Sequence, residues 1–93
     1  MQYIKVTYDA PRFTKIRKVD YYAFNDKVTE EKIEKFLKDK QDEFECEVAE
    51  FLVKMFDYTE PAAIFAASVN VDWDFIDIIN VDWDFIDVKN VQL

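Results

Sequence analysis

Asn70-Val71-Asp72-Trp73-Asp74-Phe75-Ile76-Asp77 is followed ten positions later by the same eight residues, Asn80-Val81-Asp82-Trp83-Asp84-Phe85-Ile86-Asp87. Asn90-Val91 opens a third copy that stops. Within each copy the large apolar side chains share one parity: Val71, Trp73 and Phe75, then Val81, Trp83 and Phe85. The polar residues Asn70, Asp72, Asp74 and Asn80, Asp82, Asp84 take the other. Alternation at period two is the mark of a strand with one face buried. Composition agrees, because these residue types are weak helix formers and the aromatics and Val favour strands. The repeat is therefore expected as two strands, over 70–77 and 80–87, forming a C-terminal antiparallel pair. The connection between them is awkward: Ile78-Ile79 is poor turn material and no glycine is present for a tight primed turn. A helical alternative remains, with Asn or Asp as cap and acids in the first turn.

Upstream, Ile4, Val6 and Tyr8 alternate with Lys5 and Thr7, a half-buried strand. Asp9-Ala10-Pro11-Arg12 reads as a turn, since Pro11 presets φ and cannot donate to a ladder. β-prone residues resume from Phe13 to Phe24. The alternation slips at Arg17-Lys18-Val19, which predicts a bulge or break there. An N-terminal antiparallel hairpin follows from this pattern. Thr29 is the best N-cap for the next element, with Glu30 and Glu31 in the first turn where the macrodipole favours acids. Ile33, Phe36, Leu37, Phe44, Val48, Phe51, Leu52 and Met55 recur at three and four, the period of an amphipathic helix. The apolar signal fades over 39–42, so either one helix runs to about Phe56 or two join near Gln41. The short alternation from Phe44 to Val48 admits a strand, which the continuing 3.6 period disfavours. Thr59-Glu60-Pro61 starts a short Ala-rich helix that Ser68 closes. The expected fold is α+β: a small single domain, 1–93, with hairpin, central helix or helix pair, short helix and C-terminal strand pair.

A chain of 93 residues fits one domain, and its 17% aromatic content supplies buried area in a small core. The formal charge of −8 repels nucleic acid and anionic membrane and attracts basic surfaces. Most of the Lys and Arg excess lies in the first 28 residues, and the acids dominate afterwards. The chain has no glycine, which excludes glycine-rich phosphate loops and nucleophile elbows, and no histidine, which removes the commonest general base and metal ligand. Cys46 is the only cysteine, so no internal disulfide forms and a reducing compartment is expected. Neither a long apolar run nor a signal-peptide layout is present. These features together predict a cytoplasmic protein.

Asp72 and Asp74, and Asp82 and Asp84, stand two apart, which on a strand places each pair on one face about 6.6–6.8 Å apart. Four such carboxylates on neighbouring strands would form one patch. The plain reading is a solvated outer face. The functional reading is a surface for a cationic partner, spaced like the phosphates of a nucleic-acid strand. Glu43, Glu47 and Glu50 form a second acidic stripe on the helix, which would extend that patch. Trp73, Phe75, Trp83 and Phe85 read first as core. The spacing in Asp-Trp-Asp-Phe-Ile-Asp touches that of a calcium loop but lacks its glycine and closing glutamate. No metal and no cofactor are therefore expected. Catalysis finds no support: Cys46 sits between Glu45 and Glu47, and no histidine activates it. The basic cluster Lys15, Arg17 and Lys18 reads as internal pairing or plain solvation.

In general character the chain resembles the inhibitors carried by bacteriophages and mobile elements, anti-CRISPR and anti-restriction proteins among them. It is short, acidic, glycine-free and rich in Lys, Glu, Phe and Ile; no motif carries the likeness. The resemblance implies a non-enzymatic inhibitor that blocks a DNA- or RNA-handling protein as a nucleic-acid mimic. Its expected partner is a basic protein, bound through Asp72, Asp74, Asp82, Asp84, Glu43, Glu47 and Glu50. No direct nucleic-acid or membrane binding is expected. The alternative is a structural or assembly module that forms a homodimer or larger assembly through the aromatic repeat.

Overall fold

The computed structural model describes residues 1–13, 16–77 and 86–93. Strands β1 (Gln2–Ala10) and β2 (Ile16–Phe24) form an antiparallel hairpin, followed by helices α1 (Glu30–Phe56) and α2 (Glu60–Ala66). Strands β3 (Asn70–Ile76) and β4 (Val88–Val91) follow in the C-terminal part. They flank the hairpin in a sheet of order β3-β1-β2-β4. The fold is α+β, as the sequence pattern predicts.

The first copy of the repeat takes a partner that its own pattern does not announce. It is a strand, but β3 pairs antiparallel with β1, bringing Trp73 opposite Val6 and Phe75 opposite Ile4. The end of the chain pairs with β2, and in parallel, Val88 opposite Tyr21 and Val91 opposite Phe24. The expected pairing of the second copy with the first falls on 80–85, which lie outside the described residues. β3 finds β1 because both carry an apolar row of the same parity. Ile4, Val6 and Tyr8 are buried, and laying Phe75, Trp73 and Val71 beside them extends one continuous apolar face.

No bulge interrupts the hairpin. The register runs regularly from Gln2↔Phe24 to Ala10↔Ile16, straight through Arg17, Lys18 and Val19. The apparent slip arises because Lys18 and Asp20 occupy the inward parity with Ile16, Tyr22 and Phe24. Lys18 fits there by laying its ammonium over the rings of Tyr8 and Phe44, 5.6 and 5.2 Å from their centroids. Its charge meets Asp20 at 3.5 Å. A lysine with an apolar stem and a partnered head is compatible with a half-buried face.

α1 is one helix, which decides between the two helical alternatives. Residues 39–42 contain neither Gly nor Pro, so nothing in the backbone chemistry breaks it there. Thr29 caps its start, the hydroxyl accepting from the Lys32 amide at 3.4 Å. Its end carries the left-handed residue Asp57 (φ 56°), and the amides of Asp57 and Tyr58 both donate to the Leu52 carbonyl. Glycine usually takes that position; in this glycine-free chain an aspartate, one of the residues that tolerate it, does so. Ile33, Leu37, Phe44, Val48 and Leu52 are buried against the sheet. Phe51 and Met55, expected on the same face, are 44% and 68% exposed. The core row ends at Leu52, and the last turn projects beyond it. α2 starts at its Thr59 cap and ends at Ala66, with Ala63 and Ala66 buried.

Candidate functional site

Sheet register determines where the aspartates go. Asp72 stands opposite Thr7 and Asp74 opposite Lys5, on the parity of the sheet turned away from the helices. Both are exposed, and neither forms an ion pair among the described residues. Their open face also carries Lys5, Arg17 and Asp9, so it is mixed in charge. Asp82 and Asp84 lie outside the described residues. The Asp72 and Asp74 carboxylates point away from the core, as expected. The aromatic parity divides: Trp73 is half-buried and packs on the core, whereas Phe75 is 47% exposed with its ring edge-on to Trp73 at 5.2 Å. Trp83 and Phe85 lie outside the described residues.

Glu43, Glu47 and Glu50 are exposed on α1, in the other layer of the molecule. They do not extend the surface of Asp72 and Asp74, because the sheet lies between. Glu43 pairs with Lys40 at 3.3 Å. Between Gln41 and Val53, α1 carries Asp42, Glu43, Glu45, Glu47 and Glu50 and no Lys or Arg. This is the densest run of acids on a described element.

Two of the polar residues in this run look inward. Gln41 occupies the next place in the buried row after Leu37, and its amide donates to the Val69 carbonyl at 2.6 Å. The Glu45 carboxylate accepts from the Val69 amide at 2.8 Å. Together they satisfy both backbone groups where the chain enters β3. The fading of the apolar signal over 39–42 is thus a docking point for the repeat.

A second polar cluster closes the core at the β2 edge. Tyr22 donates to Asp20 at 3.1 Å, and the hydroxyls of Tyr8 and Tyr22 stand 3.1 Å apart. Lys18 and Lys89 approach the two Asp20 oxygens at 3.5 and 3.6 Å. Burial pushes the Tyr22 phenol well above its ordinary range, and its hydrogen bond with Tyr8 adds to this. Burial likewise raises Tyr8. Each cation here already meets a carboxylate, so the cluster is an internal ion-pair network. It accounts for Lys18 as internal pairing; Lys15 lies outside the described residues.

The sequence pattern did not reveal an exposed apolar surface on the helical layer. Ile64 and Phe65 of α2 are 62% and 66% exposed, and Val53, Met55 and Phe56 of α1 are also exposed. The signal was present: the Glu60–Ala66 helix has apolar residues around its whole circumference, and only one side can face the core. Cys46 is exposed nearby. No group of three or more carboxylates or thiols fit to hold a metal occurs among the described residues, and none of their helices is long and apolar enough to cross a membrane. Compared with family models, curated proteins and solved structures, the chain finds no match.

Proposed function

We propose that this chain is a small acidic protein-binding inhibitor of the phage or mobile-element type. It blocks a basic nucleic-acid-handling protein by presenting carboxylates in place of a nucleic-acid backbone. The observation that carries this reading is the outward set of acids on regular elements. Asp72 and Asp74 alternate on β3, and Glu43, Glu47 and Glu50 follow one another along α1. Carboxylates four residues apart on a helix are displaced by about 6 Å along its axis, and those two apart on a strand by about 6.6–6.8 Å. Regular elements fix the backbone spacing before the partner binds, leaving only side-chain ordering and desolvation to be met on binding. The overall charge of −8 steers a basic partner toward the molecule.

Because Asp72 and Asp74 lie on the layer opposite Glu43, Glu47 and Glu50, one of these sets faces the partner. The test is affinity capture from a lysate at low and high salt, with the captured protein identified and then challenged with DNA or RNA. The expected result is capture that weakens steeply with salt and competes with nucleic acid. One variant carries Asp72→Asn, Asp74→Asn, Asp82→Asn and Asp84→Asn; a second carries Glu43→Gln, Glu47→Gln and Glu50→Gln. Loss of capture in one identifies the working layer. Full capture and inhibition by both would end the mimic reading.

The alternative, self-association through the repeat, draws on half-exposed Phe75 and on β3 having only β1 as a neighbour among the described strands. It predicts a concentration-dependent oligomer by light scattering that Trp83→Ala disrupts more than the Asp→Asn set. A monomer at high concentration counts against it.

A further inference from the structure

The helical layer holds a groove whose floor is apolar and whose rim is acidic. Ala63 and Ala66 are the inward residues of α2, and their small size lets α2 lie close against the rest of the molecule. That rotation sends Ile64 and Phe65 outward. On α1 the residues beside them, Cys46 and Ala49, are too small to fill the space, and Val53 continues the same stripe at spacings of three and four. Two clefts result, of about 540 and 340 Å3. They share Cys46, Ala49 and Ile64, so they adjoin along one side of α1, with Ile64 between them. From Asp42 to Val53 they follow α1 for about three turns, roughly 16 Å.

We infer that this groove docks a basic amphipathic helix of a partner protein. Asp42, Glu50 and Glu60 line it, with Glu45 beside them committed to the Val69 amide, against Arg12 and Lys54. Arg12 is already engaged, its guanidinium stacked 4.4 Å from the Phe65 ring centroid and donating to the Phe65 carbonyl. A helix with apolar anchors at i, i+3 or i+4 and i+7 matches the length and floor of the groove. Lysines or arginines flanking those anchors would meet the rim. A second copy of this chain fits poorly, since it would bring the same acids against these and both molecules carry −8. Nucleic acid is repelled by the same charges. The inference rests on the reading of a basic protein partner and adds to it the apolar anchorage that charge alone does not supply.

The test uses the intact chain and a fluorescein-labelled amphipathic helical peptide built only of Leu and Lys. Its counterpart replaces every Lys by Glu. Fluorescence anisotropy should show saturable binding of the Leu/Lys peptide and none of the Leu/Glu peptide. The double variant Val53→Ser, Ile64→Ser keeps every charge and alters only exposed side chains. It should bind at least about tenfold more weakly, in line with the loss of two buried anchors. Its circular dichroism should be unchanged. Asp72→Asn with Asp74→Asn, on the other layer, should leave the peptide affinity within about twofold. Equal affinity of parent and Val53→Ser, Ile64→Ser would overturn the inference. So would binding of the Leu/Glu peptide, or a dimer by sedimentation that the same double variant abolishes. Groove-dependent peptide binding together with full inhibition by both carboxamide sets would retain the groove and discard the mimic.

Discussion

Single residues carry two tightly defined polar arrangements. The Tyr8 and Tyr22 hydroxyls share a contact and pass it on to Asp20. Tyr22→Phe strands the Tyr8 hydroxyl in the core and should cost about 1–3 kcal/mol by urea denaturation. Tyr8→Phe with Tyr22→Phe removes both partners and should recover much of that loss. The same pair sets a pH dependence. Both phenols are raised above the ordinary value of 10.0, so the folded chain holds protons that the unfolded chain releases. Their contribution is complete below about pH 10 and is lost as pH rises through the folded values. Urea midpoints between pH 8 and 11 should fall at the alkaline end, with a shallower slope in the double Phe variant. The second arrangement is Glu45 with Gln41 at Val69. Glu45→Ala leaves a part-buried amide unpaired and should cost about 1–3 kcal/mol, whereas Glu45→Gln, which retains an acceptor, should cost less. Neither arrangement is readable from sequence, because each joins residues far apart in the chain.

Among the elements, α1 was the most legible. Thr29, the acids of its first turn and the buried row from Ile33 to Leu52 agree with the reading from periodicity. Its continuity through 39–42 was not legible, since loss of apolar period resembles a helix break. The third dimension shows instead that the polar residues bind the β3 entry. Leu52→Ala should destabilise by about 2–5 kcal/mol, whereas Met55→Ala, at an exposed position, should cost within about 0.5 kcal/mol; thermal unfolding separates them. At the end of α1, Asp57→Gly relieves a left-handed non-glycine conformation and should raise stability by up to about 1 kcal/mol in the same measurement. β2 was misread at Arg17-Lys18 because a lysine was assigned outward by hydropathy alone. Its aromatic partners Tyr8 and Phe44 come from β1 and α1.

For the molecule as a whole, the two layers separate what the sequence had joined. Spacing alone lets the acids of β3 and of α1 form one surface, yet the sheet stands between them. Charge therefore acts on two faces, and the apolar groove lies with the helical one. A salt titration of partner capture should follow the Glu43, Glu47 and Glu50 set if the helical layer is the working face. In that case the Asn variants of the repeat should leave both the affinity and its salt slope near those of the parent.

The sequence by itself determined the local identities. Period-two alternation made strands of Ile4, Val6, Tyr8 and of the first repeat copy; period 3.6 and the threonine caps made the helices; parity sent Asp72 and Asp74 away from the core. These are properties of neighbouring residues and the backbone geometry they select. Only the tertiary structure decided that β3 lies beside β1, that β4 runs parallel to β2, and that Ile64 and Phe65 remain outside. Strand pairing and helix docking compare the burial gained by alternative partners, and that comparison depends on surfaces brought together from across the whole chain.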